Sequence, residues 1–237
     1  MKVLGIIPAR GGSKRLPRKN VRRLCGKPLV AWAIEASLGA QRLTRVVVSS
    51  DDDEVLAIAA GYDRRLALRR PAEISHDTAL AYTFVLHALA TLEAAGEGPY
   101  EAAAIVQPSS PLTTSADIDA TVELLEKSGA DTAVSVMAVD HATHPLKLKR
   151  MDGDRLLPYL EEEQGRMAAH ELPRLFVRNC AVYASRRQVY QGHKVIGDDC
   201  RGYLMPRERS VDINEEIDLA FVEFLLNRGR SAERSIL

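Results

Sequence analysis

Apolar residues along this chain gather into short runs separated by amphipathic stretches. Val3-Leu4-Gly5-Ile6-Ile7-Pro8 is an unbroken apolar run and predicts a buried strand over residues 2–8. Pro28 suits the first position of a helix reaching about residue 40. Arg45-Val46-Val47-Val48-Ser49 is a β-branched strand, and residues 51–60, opening on acidic side chains, read as a short helix. A weaker strand at 65–69 precedes a long Ala- and Leu-rich helix at 78–95 and a buried strand at 102–106 that ends at Gln107-Pro108. Ser115 opens a helix with Asp117 and Asp119 near its start and Gly129 just past its end, and residues 131–139 alternate like another strand. This βα rhythm predicts an α/β fold, a mostly parallel sheet with helices on both faces.

The rhythm breaks over residues 141–178. Short apolar pieces, Gly153, Pro158 and the acidic run Glu161-Glu162-Glu163 suggest hairpins and an exposed excursion. Strands at 179–184 and 202–205 and a helix at 215–226 restore the pattern. The expected organisation is one α/β domain from residues 1–140 and 179–228, an inserted segment at 141–178, and a flexible tail at 229–237. There are no internal repeats.

Charge changes the picture at one place. From Arg10 to Lys27 stand eight Lys or Arg residues and no Asp or Glu, although the formal net charge of the chain is zero. Gly11 and Gly12 follow the first strand, where a backbone must bend or approach a ligand, and successive N–H groups in such a bend can form an anion-binding concavity. The stretch has neither the G-x-x-x-x-G-K-[ST] nor the G-x-G-x-x-G spacing. A polyphosphate cradle, a solvated basic loop and a nucleic-acid patch are all readings of it. Zero net charge and 5% aromatic residues speak against nucleic acid. No apolar run approaches a membrane span, so no membrane partner is expected. Three widely spaced cysteines (Cys25, Cys180, Cys200) and no signal peptide point to a reducing, cytoplasmic setting. Polar clusters follow four predicted strands, at 10–20, 49–53, 107–110 and 212–214, where ligands of open α/β sheets bind.

The stretch Ile7-Pro8-Ala9-Arg10-Gly11-Gly12-Ser13-Lys14-Arg15-Leu16-Pro17-Arg18-Lys19-Asn20 resembles the N-terminal signature of the acylneuraminate cytidylyltransferases, the CMP-sialate synthetases. Five further blocks resemble the same family in the same order. They are Leu68-Arg69-Arg70-Pro71-Ala72-Glu73 with Asp77-Thr78, Gln107-Pro108-Ser109-Ser110-Pro111-Leu112, His144-Pro145-Leu146-Lys147, Leu172-Pro173 with Asn179-Cys180-Ala181-Val182-Tyr183, and Val211-Asp212-Ile213-Asn214. The resemblance implies a Rossmann-like core and transfer of CMP from CTP to the anomeric hydroxyl of a 2-keto sugar acid of the nonulosonic, sialic-acid-like type, with release of pyrophosphate. It also implies Mg²⁺ and a homodimer in which residues 141–178 cross to the partner subunit.

Carried onto this chain, the resemblance makes Arg10, Lys14 and Lys19 the phosphate contacts, where cations also help pyrophosphate leave. Ala9, Gly11 and Asn20 belong to the nucleotide side, Asn20 either positioning or only shaping the turn. Arg15, Arg18, Arg22 and Arg23 are expected to face solvent. Arg70 is the contact to the cytosine ring, since a guanidinium donates to two acceptors at once, and neighbouring Arg69 is its exposed control. Thr78 touches the nucleotide or caps the following helix. Gln107 lies near the ribose and the attacking sugar, with Ser110 on the sugar side. Lys147 pairs with the sugar carboxylate, Tyr183 packs on the sugar, and Asn179 hydrogen-bonds it or serves only the turn. Asp212 is the expected metal ligand and a catalytic residue. Asn214, where the family has an acid, is a weaker second ligand or the cap of the last helix.

Departures cluster on the sugar side: Ala169 and His170 stand for the family's Arg-Gln, Arg166 is displaced upstream, Cys180 replaces a Gly and Ala81 a small polar residue. The acceptor is therefore open among sialate-, legionaminate-, pseudaminate- and octulosonate-like acids. A nucleotide-binding protein without turnover is the rival from another class. No conventional base stands out, the six His residues form no zinc site, and no G-x-S-x-G elbow is present.

Overall fold

The structure, a computed structural model, describes residues 1–160, 168, 170 and 172–234. Strand β1 (Val3–Pro8) leads through the basic loop to the paired two-residue strands β2 (Arg23–Leu24) and β3 (Lys27–Pro28), then to α1 (Leu29–Gly39). Next come β4 (Arg45–Ser50), α2 (Asp53–Tyr62), β5 (Ala67–Arg69), α3 (Ala81–Ala94), β6 (Ala102–Val106), α4 (Ser115–Ser128) and β7 (Thr132–Ala138). The excursion carries the hairpin β8 (Lys149–Asp152) and β9 (Arg155–Pro158), turned at Gly153, whose φ is 63°. β10 (Phe176–Arg186), α5 (Arg187–Gln191), β11 (Cys200–Leu204) and α6 (Glu216–Arg234) complete the chain.

Seven strands form one sheet in the order β11-β7-β10-β6-β1-β4-β5. All pair in parallel except β10, which runs antiparallel between β6 and β7. Alternation sorts the strand side chains to two faces. Ile7, Val46 and Val48 meet Val30 and Ile34 of α1, Val55 of α2 and Ile118 of α4. Leu4, Ile6, Val47 and Ile105 meet Phe84, Val85 and Leu89 of α3 and Tyr190 of α5. A separate cluster lies outside the sheet: Leu16 of the basic loop packs with Leu24, Leu29, Ile213 and the α6 residues Leu219 and Val222. Among the described residues no helix is long and apolar enough to cross a membrane.

Several boundaries differ from the pattern-based ones. Pro28 is extended and precedes α1, because it pairs with Arg23 across the β2–β3 ladder. A 3-10 turn at Arg64–Leu66, capped by Asp63, takes the first residues expected of β5. α3 begins at Ala81, since the Thr78 hydroxyl contacts His76 Nδ1 instead of capping a helix. β10 starts at Phe176, inside the expected excursion, because residues 176–178 pair with Val136, Met137 and Ala138 of β7. α6 continues to Arg234, through most of the expected tail, and residues 235–237 lie outside the described residues. So do Glu161, Glu162, Glu163, Arg166 and Ala169.

Candidate active site

The loops after β1, β5 and β6 and the segment before α6 converge at the carboxyl ends of the parallel strands, the usual ligand crevice of such sheets. They enclose a groove of two joined cavities. The larger, about 480 Å³, is lined by Arg10, Lys14, Lys19, Asn20, Gln107 and Asn214, together with Arg15 and Asp77. The smaller, about 230 Å³, shares Pro8, Arg10, Asp77 and Gln107 and adds Arg70, Phe84 and the loop residues Ile74, His76 and Ala79.

The basic loop is held from beneath by Leu16, 1% exposed, which explains how a run of cations folds inward at one edge. Its grip is made of side chains. Three backbone donors of the bend are already used: Ala9 N–H donates to Ser49 O (3.0 Å), Gly11 N–H to Asp51 Oδ1 (3.0 Å) and Ser13 N–H to Gly11 O (3.0 Å). The Ala9 carbonyl accepts from Ser50 Oγ (2.6 Å), so both of its backbone groups are committed to the end of β4. Gly11 leaves no room for a Cβ, which would stand 2.8 Å from Asp52 Oδ2. Buried Asn20 donates to the Arg10 carbonyl (2.9 Å), holding the two ends of the loop together.

Lys19 Nζ donates to the Ile213 carbonyl (2.8 Å), joining the N-terminal loop to the Asp212 segment. Burial lowers the Lys19 pKa, and the Asp212 carboxylate opposes that shift in part. Asp212 Oδ2 accepts from Asn214 Nδ2 (2.7 Å), whereas its Oδ1 is buried with no hydrogen-bond partner. A buried carboxylate oxygen without a donor, beside a neutral amide facing the groove, is a donor set that suits a hard cation completed by phosphate oxygens. Asn214 does not cap α6: the Asp218 carboxylate takes the N–H groups of Asn214 (2.8 Å) and Glu215 (2.9 Å). The Ile213 N–H in turn donates to Ser109 O (2.7 Å), which fixes the Asp212 segment against the loop after β6.

At the other end Arg70 is 5% exposed. Its Nε donates to Ser49 Oγ (3.0 Å), its Nη2 to Ser49 O (2.7 Å), and its guanidinium lies 4.7 Å from the Phe84 ring centre. Burial pushes its pKa down to about 10. Arg69, as expected of the control, is exposed and pairs with Asp53.

Other expected contacts fall elsewhere. Ser110 is buried with its hydroxyl unpartnered, and Thr78 is exposed beside His76, neither lining the groove. Lys147 Nζ contacts His141 Nε2 (2.6 Å) at the start of the excursion. Asn179 is 4% exposed and its amide is used internally: Ser135 Oγ donates to Oδ1 (2.6 Å), and Nδ2 donates to Ser210 Oγ (2.9 Å). Tyr183 is half-buried, and burial together with a Cys180 contact raises its pKa strongly. Arg15 is exposed, as expected, and also lines the larger cavity, while Arg18 and Arg22 pair with Glu54 and Glu216. Asp77 had no role assigned by the sequence pattern, yet it pairs with both Arg10 (2.5 Å) and Lys14. A carboxylate 67 residues from Arg10 carries no local signal of that meeting.

A sequence profile of the cytidylyltransferase family matches residues 4–200. This chain belongs to that family. The chain is 31% identical over 219 residues to an N-acylneuraminate cytidylyltransferase of Escherichia coli, covering 92% of this chain and 50% of that protein. It thus spans half the length of that relative. It is 28% identical to a CMP-N,N'-diacetyllegionaminic acid synthase of Legionella pneumophila, over 98% of this chain and 99% of that one. A pseudaminic acid cytidylyltransferase of Campylobacter jejuni is 26% identical over 95% and 96% of the two chains. The cytidylyltransferase fold also superposes on a CMP:2-keto-3-deoxy-manno-octonic acid synthetase solved with CTP, with a TM-score of 0.71 at 18% identity over 97% of this chain and all of that one. At that identity the likeness establishes the Rossmann-like α/β fold alone.

Proposed function

We propose that this cytidylyltransferase transfers CMP from CTP to the anomeric hydroxyl of a nonulosonic, sialic-acid-like 2-keto sugar acid and releases pyrophosphate. One observation carries the reading: a groove lined by Arg10, Lys14, Lys19 and Asn214 at one end, where Asn214 is bonded to the Asp212 carboxylate, continues into a pocket built on Arg70 at the other. One end suits a triphosphate and the other a pyrimidine. The curated relatives supply the acceptor class, since their names are those of sialate-, legionaminate- and pseudaminate-activating enzymes.

In this reading Arg70, preset by Ser49 and Phe84, orients the base, and Arg10, Lys14 and Lys19 hold the β- and γ-phosphates. The sugar hydroxyl attacks the α-phosphorus and gives up its proton to solvent, the bond from that phosphorus to the oxygen bridging it to the β-phosphate breaks, and the same cations take up the charge on departing pyrophosphate. Asp212 and Asn214 would hold Mg²⁺, which when bound neutralises phosphate charge. We infer a homodimer as the working unit, because Leu148, Met151, Leu156, Tyr159 and Phe176 are exposed apolar side chains within and just after the excursion's hairpin. A cytoplasmic setting is favoured by the odd number and wide spacing of the three cysteines, which suit a reducing compartment.

The test is pyrophosphate release from CTP and Mg²⁺ with a panel of 2-keto sugar acids, using Asp212→Ala as control. Release with one or more nonulosonic acids is expected. Silence across the panel from folded protein would overturn the reading, and release with an octulosonic acid alone would move the acceptor to the shorter class.

A further inference from the structure

Asp77 stands where the two cavities meet and lines both. Its carboxylate oxygens are divided between two cations of the basic loop: Arg10 Nη1 donates to Oδ1 at 2.5 Å, and Lys14 Nζ pairs with Oδ2. Neither pair is deep. The side chains of Asp77, Arg10 and Lys14 are 33%, 34% and 79% exposed, so solvent screens both contacts and they break at modest cost. The carboxylate sits on the short segment before α3, whose neighbours Ile74, His76 and Ala79 line the smaller cavity.

A carboxylate at the mouth of a polyphosphate site repels the ligand the site is built to hold. The cations it engages are those the triphosphate needs, and they cannot serve both anions at full strength. We propose that Asp77 is a resident counter-anion of this site. It occupies Arg10 and Lys14 in the empty protein, yields them to the incoming triphosphate, and takes them back as pyrophosphate leaves. Nucleotide binding is then an anion exchange, which weakens substrate affinity and speeds the exit of a product that would otherwise cling to the same cations. The inference rests on reading the groove as the CTP site.

The test compares the full chain with Asp77→Asn, Asp77→Ser and Asp77→Glu, with circular dichroism confirming folding. Calorimetry measures the Kd of inorganic tripolyphosphate and pyrophosphate, and kinetics measure the KM for CTP and the product-inhibition constant of pyrophosphate. Asp77→Asn and Asp77→Ser are expected to bind both anions roughly threefold to tenfold more tightly, as freeing two part-exposed ion pairs implies. The CTP KM and the pyrophosphate inhibition constant fall by a similar factor, while Asp77→Glu, which keeps the competing charge, stays near the parent values. Equal or weaker anion binding in the neutral variants overturns the proposal. So does weakening that glutamate restores, which would make Asp77 only a brace for the loop. Failure of the CTP reading looks different: no acceptor yields pyrophosphate, yet the neutral variants still gain affinity for tripolyphosphate.

Discussion

Asn179→Ala tests whether this residue acts on a sugar or on the architecture beneath the site. The amide is 4% exposed and ties three parts of the chain together. Ser135 of β7 donates to Oδ1 at 2.6 Å, and Nδ2 reaches Ser210 Oγ at 2.9 Å and Met205 Sδ at 3.2 Å on the segment leading to Asp212. Removing it forfeits two well-formed hydrogen bonds, about 1 kcal/mol each. The space left by the amide adds roughly 1 kcal/mol more. Ser135 and Ser210 keep other partners, the backbone of Val182 and Pro206 O, so neither hydroxyl is left bare. The expected loss is therefore about 3 kcal/mol, roughly a hundredfold in the folded-to-unfolded ratio. Urea unfolding should show a lower midpoint at unchanged slope, with kcat reduced and the acceptor KM moved little. A stability loss under about 1 kcal/mol together with a large rise in acceptor KM would refute this reasoning and make Asn179 a sugar contact.

Lys19 sets a pH limit. Its folded pKa is lowered by burial, so as pH rises it loses its proton before an ordinary lysine would, and CTP affinity falls over that range, whereas Lys19→Arg should move the limb to higher pH. By linkage the unfolded chain binds more protons between the lowered and ordinary values, so this group's contribution to stability rises with pH there, as titration of the urea midpoint would report. Asp212→Ala should lower turnover by roughly 100-fold or more, and Asn214→Asp should reduce the Mg²⁺ concentration for half-maximal rate, both read by pyrophosphate release. Arg209→Leu strips the fully buried Asp117 of its two-point partner (3.0 and 2.7 Å). Urea unfolding should show a loss of about 3 kcal/mol, with the CTP KM unchanged.

Features legible along the chain are those whose physics is local. The apolar run of β1, the β-branched β4 and the helix opening at Ser115 and closed by Gly129 were predictable because strand burial and helix termini depend on a few adjacent residues. The capping box between Thr114 and Asp117 and the left-handed Gly129, at φ 69°, show those local rules operating. The cationic run from Arg10 to Lys27 was visible in the same way, although which of its members enter the groove was not. Arg15 reaches it and Arg18 does not, since the turn of the loop around buried Leu16 decides the direction of each side chain.

What only the folded chain decided are meetings between distant residues. The antiparallel direction of β10, the pairing of Asp77 with Arg10 and Lys14, and the bond from Lys19 to Ile213 each join positions that pattern leaves unrelated. Asn179 read as a sugar contact or as a residue serving only the turn, and the fold commits its amide to Ser135 and Ser210. Residue type and spacing determine which elements form and where a charge run lies. Which carboxylate faces which cation depends on how the sheet brings its loops together, and that is set by burial of apolar surface over the whole domain.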